Sequence, residues 1–245
     1  MKKSVFNEIP IGDLHIHTTF SDGQNTMEEI INKAIKIGHR YIAFTDHTGI
    51  LPVESLSTEE KFKLYFEEIE KIRSKFSKIR ILKGVETNIL LNGELDLTEK
   101  QLQEMEIVIG SIHHFLPFDD YNQNTKRYLK ALDNPYLNIL GHPTTRRSGT
   151  KEALDLDYRQ VFEKAKTKHV ALELNVTPDR MDLPIELLKL AKSIGNKIVM
   201  STDSHNLSSL ENLNSGLSHL EKAGLEKNDV LNCLEAETML KYFKK

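Results

Sequence analysis

The run Asp13-Leu14-His15-Ile16-His17-Thr18-Thr19-Phe20-Ser21-Asp22-Gly23 sets two histidines one residue apart, between an apolar approach and a turn. On an extended strand, residues i and i+2 face the same side. His15 and His17 therefore aim two imidazoles at one point, as chelation of a single ion requires. Alone, such a pair also fits the polar face of an edge strand. Its meaning depends on what stands at the ends of the strands that follow.

Those strands are short apolar runs alternating with helical patterns. Thr26-Met27-Glu28-Glu29 makes a capping box, and Met27, Ile30, Ile31, Ala34 and Ile35 mark a helical face that stops at Gly38. Residues 41–45 read as a buried strand ending at Asp46-His47. A helix with Phe62, Phe66, Ile69 and Phe76 on its apolar side leads to a strand at 79–85, which ends at Glu86. Ile89 to Leu95, turning at Asn92-Gly93, reads as a small hairpin, and 99–104 as a short helix. Strands at 107–112 and 137–141 end at His113 and His142, with a helical segment around Lys126, Arg127 and Leu129 between them. A helix at 158–168 precedes a strand at 170–175. Pro184 then opens a helix that Gly195 closes. A strand at 198–202 ends at Asp203-Ser204-His205, and two amphipathic helices, around 210–220 and 230–240, finish the chain.

Seven strand candidates, each followed by a helix or a helix-containing excursion, predict an α/β fold with parallel strands and crossover helices. A closed barrel is expected rather than an open sheet. Nearly every strand ends in a candidate ligand, and in a barrel those ends converge on one face. The 245 residues suit one barrel-sized domain, and no linker or composition break divides residues 1–245.

The 33 Lys+Arg against 36 Asp+Glu give a net charge of −3, so no global basic footprint for nucleic acid exists. Cys233 is the only cysteine, which excludes a disulfide framework and suggests a buried thiol. The first residues lack an apolar leader and no run approaches membrane-spanning length, so a cytoplasmic enzyme or binding protein is expected.

The candidate constellation is His15, His17, Asp22, His47, Glu86, His113, His142, Asp203 and His205, which takes in six of the 10 histidines. His39, His169 and His219 read as surface or packing residues, and His114 should face away from His113 if the strand persists. Six imidazoles and three carboxylates exceed what one tetrahedral ion uses, so two or three ions are implied. Mixed nitrogen and oxygen ligation favours zinc, manganese or iron over a magnesium-only site. Clustered ions of this kind suit hydrolysis. No glycine-rich phosphate loop or dinucleotide fingerprint points elsewhere.

Asp13-Leu14-His15-Ile16-His17 with Ser21-Asp22-Gly23, Thr45-Asp46-His47, Gly84-Val85-Glu86, Gly110-Ser111-Ile112-His113, Gly141-His142-Pro143 and Thr202-Asp203-Ser204-His205 resemble, in order, the motifs of the PHP (polymerase and histidinol phosphatase) family. Gly141-His142-Pro143-Thr144, Glu173-Leu174-Asn175, the run 178–184 and the 227–232 tail look closer still to the PHP domain that follows bacterial family X DNA polymerases. The resemblance implies a distorted (β/α)7 TIM-like barrel holding three divalent ions. It gives His15, His17, Glu86 and Asp203 to the first ion and makes Glu86 a bridge to a second, held by His113 and His142. Asp22, His47 and His205 go to the third, with Asp22 standing where some relatives have histidine.

Phosphate recognition needs cations beside these ions. Arg146 and Arg147, after His142, and Arg180, after the sixth strand, are the candidates, because a guanidinium fork matches phosphate bidentately. Asp46 is expected to orient a ligand or a turn. Glu173 and Asn175 fit support of the site or of the core as well as chemistry. The leading reading is a metal-dependent phosphoesterase that hydrolyses phosphate monoesters, histidinol phosphate or another small ester, with a water activated at a three-ion site. The alternative is nucleic-acid 3′-end processing, as an exonuclease or 3′-phosphatase, with the two adjacent arginines and Lys151 as a path for the backbone. An amidohydrolase-type hydrolase is a further reading, but the bridging lysine it needs has no counterpart at the end of the fourth strand. A non-catalytic, metal-stabilised interaction module is the last. A small phosphorylated substrate or a nucleic-acid 3′ end is thus the expected partner, with no membrane; the oligomeric state is not legible.

Overall fold

The computed structural model describes residues 11–49, 55–113 and 120–244, so His114 lies outside the described residues. Seven strands run in chain order around one sheet: β1 (Gly12–Asp13), β2 (Tyr41–Phe44), β3 (Arg80–Asn88), β4 (Ile107–Ser111), β5 (Ile139–Leu140), β6 (Ala171–Asn175) and β7 (Ile198–Ser201). Every neighbouring pair is parallel, from Gly12 opposite Tyr41 to Asn175 opposite Ser201. The crossovers carry α1 (Met27–Lys36), α2 (Glu59–Lys75), α3 (Glu99–Gln103), α4 (Tyr121–Ala131), α5 (Tyr158–Thr167) and α6 (Ile185–Ile194). The result is a nearly closed α/β barrel. No helix among the described residues is long and apolar enough to cross a membrane.

Local signals explain several boundaries. The Thr26 side chain caps α1 by accepting from the Glu29 N–H, while Glu29 accepts from the Thr26 N–H. Gly195 closes α6 with φ +87°, a left-handed conformation that costs glycine little. The Asn92-Gly93 turn does fold back, with the Leu90 N–H donating to Glu94 O at 2.8 Å.

Side-chain alternation sorts each strand into two sets. Ile42, Phe44, Ile81, Val108 and Leu172 pack outward against the helices. Tyr41, Ala43, Leu82, Ile109, Ala171 and Val199 fill the barrel interior. The inward rows change chemistry as they climb: Leu82 is followed at period two by Gly84 and Glu86, Ala171 by Glu173 and Asn175, and Val199 by Ser201 and Asp203. An apolar floor thus supports a polar face at the C-terminal strand ends, as barrel geometry dictates.

The chain departs from expectation in its last forty-odd residues. In place of two amphipathic helices, a 3₁₀ stretch (Ser209–Gly216) runs into the short α7 (Leu217–Lys222), two 3₁₀ turns follow, and α8 (Ala236–Phe243) ends the described chain. Asn212, Asn214, Ser215 and Gly216 are weak helix formers. The second stretch is drawn into the sheet seam instead. Val230 bridges Ile198, and the buried Asn232 side chain accepts from Met200 N–H and donates to the carbonyls of Met200 and Gly12. This segment fills the gap between β1 and β7 at the floor, while Leu231, Met239 and Phe243 plug the interior from below. At the upper end the two strands meet directly, Ile16 bridging Ser204. Cys233 is buried beside the seam.

Candidate active site

β1 is a regular strand for only two residues, yet His15 and His17 converge because the Ile16–Ser204 bridge holds the backbone between them. Their Nε2 atoms lie 3.3 and 3.6 Å from Glu86 Oε2, and 3.6 and 3.1 Å from Asp203 Oδ1. Glu86, fully buried, is the hub. Its Oε1 faces Nε2 of His113 at 3.1 Å and of His142 at 3.0 Å. Its Oε2 also faces His47 Nδ1 at 2.9 Å. Asp22 gathers the remainder, with His17 Nδ1 at 3.8 Å, His47 Nε2 at 3.6 Å and His205 Nε2 at 3.3 Å. All nine sequence candidates therefore meet on one face.

The burial of this set is graded. The side chains of His15, His17, Glu86 and His142 are at most 2% exposed, whereas His113, Asp22 and His205 reach 17, 23 and 32%. The cluster is a floor opening to solvent along one side. His142 (φ +25°) and Asp203 (φ +51°) also hold left-handed backbone that non-glycine residues seldom adopt, a strain typical of functional positions.

The donor chemistry fits cations. Buried Nε2 of His15 and His17, Nδ1 of His47, Oδ1 of Asp22 and Oε2 of Glu86 crowd together without one well-aligned hydrogen bond among them. Three groupings have their ligand atoms within 4.8 Å of one another: His17–Asp22–His47–His205, His15–His17–Glu86 and His47–Glu86–His113. His47 thus stands between Glu86 and Asp22, at the meeting point of two groupings. Burial, then the neighbouring His47 and His205, push the His17 imidazole down to about 3. Burial and then Arg180 bring His142 down to about 4. Both rings keep a free lone pair at neutral pH. Burial alone would raise the Glu86 carboxyl, but His113, His15 and His47 together hold it well below the usual carboxylate range.

Around this set lies a ring of carboxylates that bind backbone instead. Asp46 accepts from Thr18 N–H at 2.7 Å and from Ser21 Oγ at 2.6 Å, fixing the turn before Asp22. Glu173 reaches His15 Nδ1 at 2.6 Å and the His142 N–H at 2.5 Å. Asn175 donates to Asp203 Oδ2 at 3.0 Å. Asp13 accepts from the N–H groups of His15 and Thr202 at 3.2 and 3.3 Å, and Asp182 from that of Thr144 at 3.0 Å. The roles of Asp13 and Asp182 are not readable from the sequence, because each also binds a backbone N–H dozens of residues away, at Thr202 and Thr144.

The three arginines separate. Arg180 is 9% exposed, its Nε lies 3.7 Å from Asp203 Oδ2, and that nitrogen has no hydrogen-bond partner among the described residues. Arg146 donates to the carbonyls of Arg180 and Met181 at 2.9 and 3.0 Å, so it holds the loop that carries Arg180. Arg147 is exposed and pairs with Asp179 at 3.2 Å. Of the other histidines, His39 is buried, His169 exposed and His219 half-buried, all away from the cluster.

A profile of the PHP domain matches residues 13–177. The chain is 38% identical over 238 residues to the DNA polymerase/3′-5′ exonuclease PolX of Bacillus subtilis (strain 168), a match spanning 96% of this chain and 41% of that protein. It is 31% identical over 230 residues to a protein of Thermoanaerobacter sp. (strain X514) named a probable phosphatase, covering 90% of this chain and 89% of that one. Among solved structures, the histidinol phosphate phosphatase of Lactococcus lactis subsp. lactis Il1403, complexed with zinc, L-histidinol and phosphate, aligns with a TM-score of 0.63. That alignment covers 89% of this chain and 95% of the other at 21% identity, and it establishes a shared fold.

Proposed function

The chain belongs to the PHP domain family, and from that membership we propose that residues 1–245 form one metal-dependent phosphoesterase domain acting on small phosphate monoesters. The observation that carries this reading is Glu86, a fully buried carboxylate ringed by five imidazoles, of which His15, His17 and His47 face it with nitrogens that have no hydrogen-bond partner among the described residues. Three divalent ions (zinc, manganese or iron) would be held by His15, His17, Asp22, His47, Glu86, His113, His142, Asp203 and His205. Bound there, such ions supply positive charge for phosphoryl oxygens and a water acidic enough to attack near neutral pH.

The chain's own residues do the rest. Arg180 presents its fork beside Asp203, where it orients a phosphate and offsets charge gathering on the oxygens. Arg146 keeps that loop in place through two carbonyls. The apolar floor excludes bulk water below the site, and the side lined by His113, Asp22 and His205 admits the ester. The relative named a probable phosphatase, matched over nine-tenths of both chains, supports a small phosphorylated substrate. So does the L-histidinol and phosphate bound by the Lactococcus lactis enzyme.

A second reading, removal of phosphate or nucleotides from a nucleic-acid 3′ end, draws on the 38% identity to the Bacillus subtilis polymerase and exonuclease. One experiment orders the two. Phosphate release from an aryl monoester is measured with manganese, with zinc and with chelator, for wild type and His142→Ala. Turnover that needs metal and is lost in the variant supports the monoesterase. No release, with a labelled 3′-phosphorylated oligonucleotide trimmed instead, transfers the reading to nucleic-acid ends.

A further inference from the structure

The buried Asn88 and Thr48 form, with the half-buried Asp96, a polar knot beside His113 that metal ligation and phosphate binding do not use. Asn88 ends β3 two residues beyond Glu86 and is 6% exposed. Its Nδ2 donates to Asp96 Oδ2 at 2.6 Å and to the Thr48 carbonyl at 2.9 Å. An amide whose nitrogen meets two acceptors must turn its oxygen the other way. That oxygen lies 2.8 Å from His113 Nδ1. It can only accept, so His113 carries its proton on Nδ1 and keeps the lone pair on Nε2, the atom that faces Glu86 Oε1 at 3.1 Å.

Asp96 is itself fixed from three sides. Its Oδ1 accepts from Thr48 Oγ1 at 2.7 Å, from the Asn88 N–H at 3.1 Å and from Thr87 Oγ1. Its Oδ2 sits where a Cβ on Gly49 would come within 2.0 Å, so glycine at that position leaves room for it. The carboxylate lies just past the Asn92-Gly93 hairpin and ties it to the residue that follows His47.

We propose that Asn88 is a positioning residue that selects the metal-binding tautomer of His113, and that Asp96 acts through Asn88 by fixing which end of its amide faces the site. The proposal rests on the metal-centre reading above. It makes a reciprocal demand. In Asp96→Asn a new donor confronts either the Asn88 side-chain nitrogen or the Asn88 N–H. In Asn88→Asp two carboxylates collide. The double exchange N88D/D96N restores an acceptor for His113 Nδ1 and a donor–acceptor pair between positions 88 and 96.

The test titrates zinc into wild type, D96N, N88D and N88D/D96N by calorimetry, with thermal melts as a control for folding. Long-range ¹H–¹⁵N spectra of the zinc-loaded proteins report the His113 tautomer, with His113→Asn used to identify its signals. D96N should weaken one of the bound ions about ten- to a hundredfold and leave the others alone, a size typical of residues behind a metal ligand. The His113 Nδ1–H pattern should fade in D96N and return, with the affinity, in the double variant, whereas N88D, whose carboxylate can only accept, should keep the pattern. Unchanged affinity and tautomer in folded D96N would overturn the proposal. A double variant no better than D96N would do the same. A wild type that takes up no zinc, manganese or iron would remove the metal reading itself, and this role with it.

Discussion

Oε1 of Glu173 lies 2.6 Å from Nδ1 of His15, with both side chains wholly buried. The other oxygen of the same carboxylate accepts the His142 N–H at 2.5 Å. One residue from the sixth strand thus orients two of the proposed metal ligands, through the ring of one histidine and the strained backbone of another. Glu173→Gln can satisfy only one of these partners, because its amide nitrogen is a donor where an acceptor is needed. Ion binding should weaken about tenfold or more, since outer partners of metal ligands carry that much. Competition against a fluorescent chelator measures it, and wild-type affinity in the variant would strip Glu173 of this role.

The arginines should behave differently from one another. Arg180, nearly buried with an unpartnered Nε beside Asp203, should cost about ten- to a hundredfold in kcat/KM when changed to alanine, the worth of a charged hydrogen bond. Arg147, exposed and paired with Asp179, should cost less than about threefold. Steady-state kinetics on a phosphate monoester decides between them; equal losses would contradict the division drawn from the geometry.

Asn232 is the seam's fastening. Its side chain serves Met200 N–H, Met200 O and Gly12 O, all buried. Asn232→Ala leaves backbone groups on both β1 and β7 without partners and should destabilise the fold by about 3 kcal/mol or more. Urea unfolding reads this as a lower midpoint. A midpoint within error of wild type would mean that water replaces the amide without loss.

His39 predicts a pH dependence remote from the candidate active site. Burial pushes its imidazole down to about 4, and Glu211, which lines the same hollow, is already paired with Lys33. A folded value below the unfolded 6.5 means that the unfolded chain binds the extra proton. Stability is therefore present above 6.5 and drains away as pH falls toward 4, by up to about 3 kcal/mol. The difference in unfolding free energy between wild type and His39→Gln, followed from pH 7.5 to about 4.5, cancels the shared contribution of the other histidines. A difference that does not change with pH would refute the assignment.

Much of the site could be read from sequence because the reading used position rather than residue type. Histidines and carboxylates stood at the ends of apolar runs, and a parallel barrel brings such ends together whatever the details between them. What escaped depended on how loops turn. Arg146 and Arg147 are neighbours, yet one reaches the backbone carbonyls of Arg180 and Met181 and the other an exposed pair with Asp179. Asn88 and Asp96 are linked only because the hairpin between them folds back. The sequence predicts too much helix at this end because Val230 and Leu231 stand four and three residues before Leu234, at helical spacing, while Val230 and Asn232 pair with β7 instead.

The seam has a temporal meaning. Ile16 meets Ser204, and Gly12 meets Asn232, across almost the whole chain. During synthesis the first pair of histidines must wait, exposed, until the last strand and the segment beyond it have left the ribosome. The candidate metal floor is therefore completed late: its final group, His205, follows β7, and the Asn232 side chain that fastens β1 to that strand comes later still.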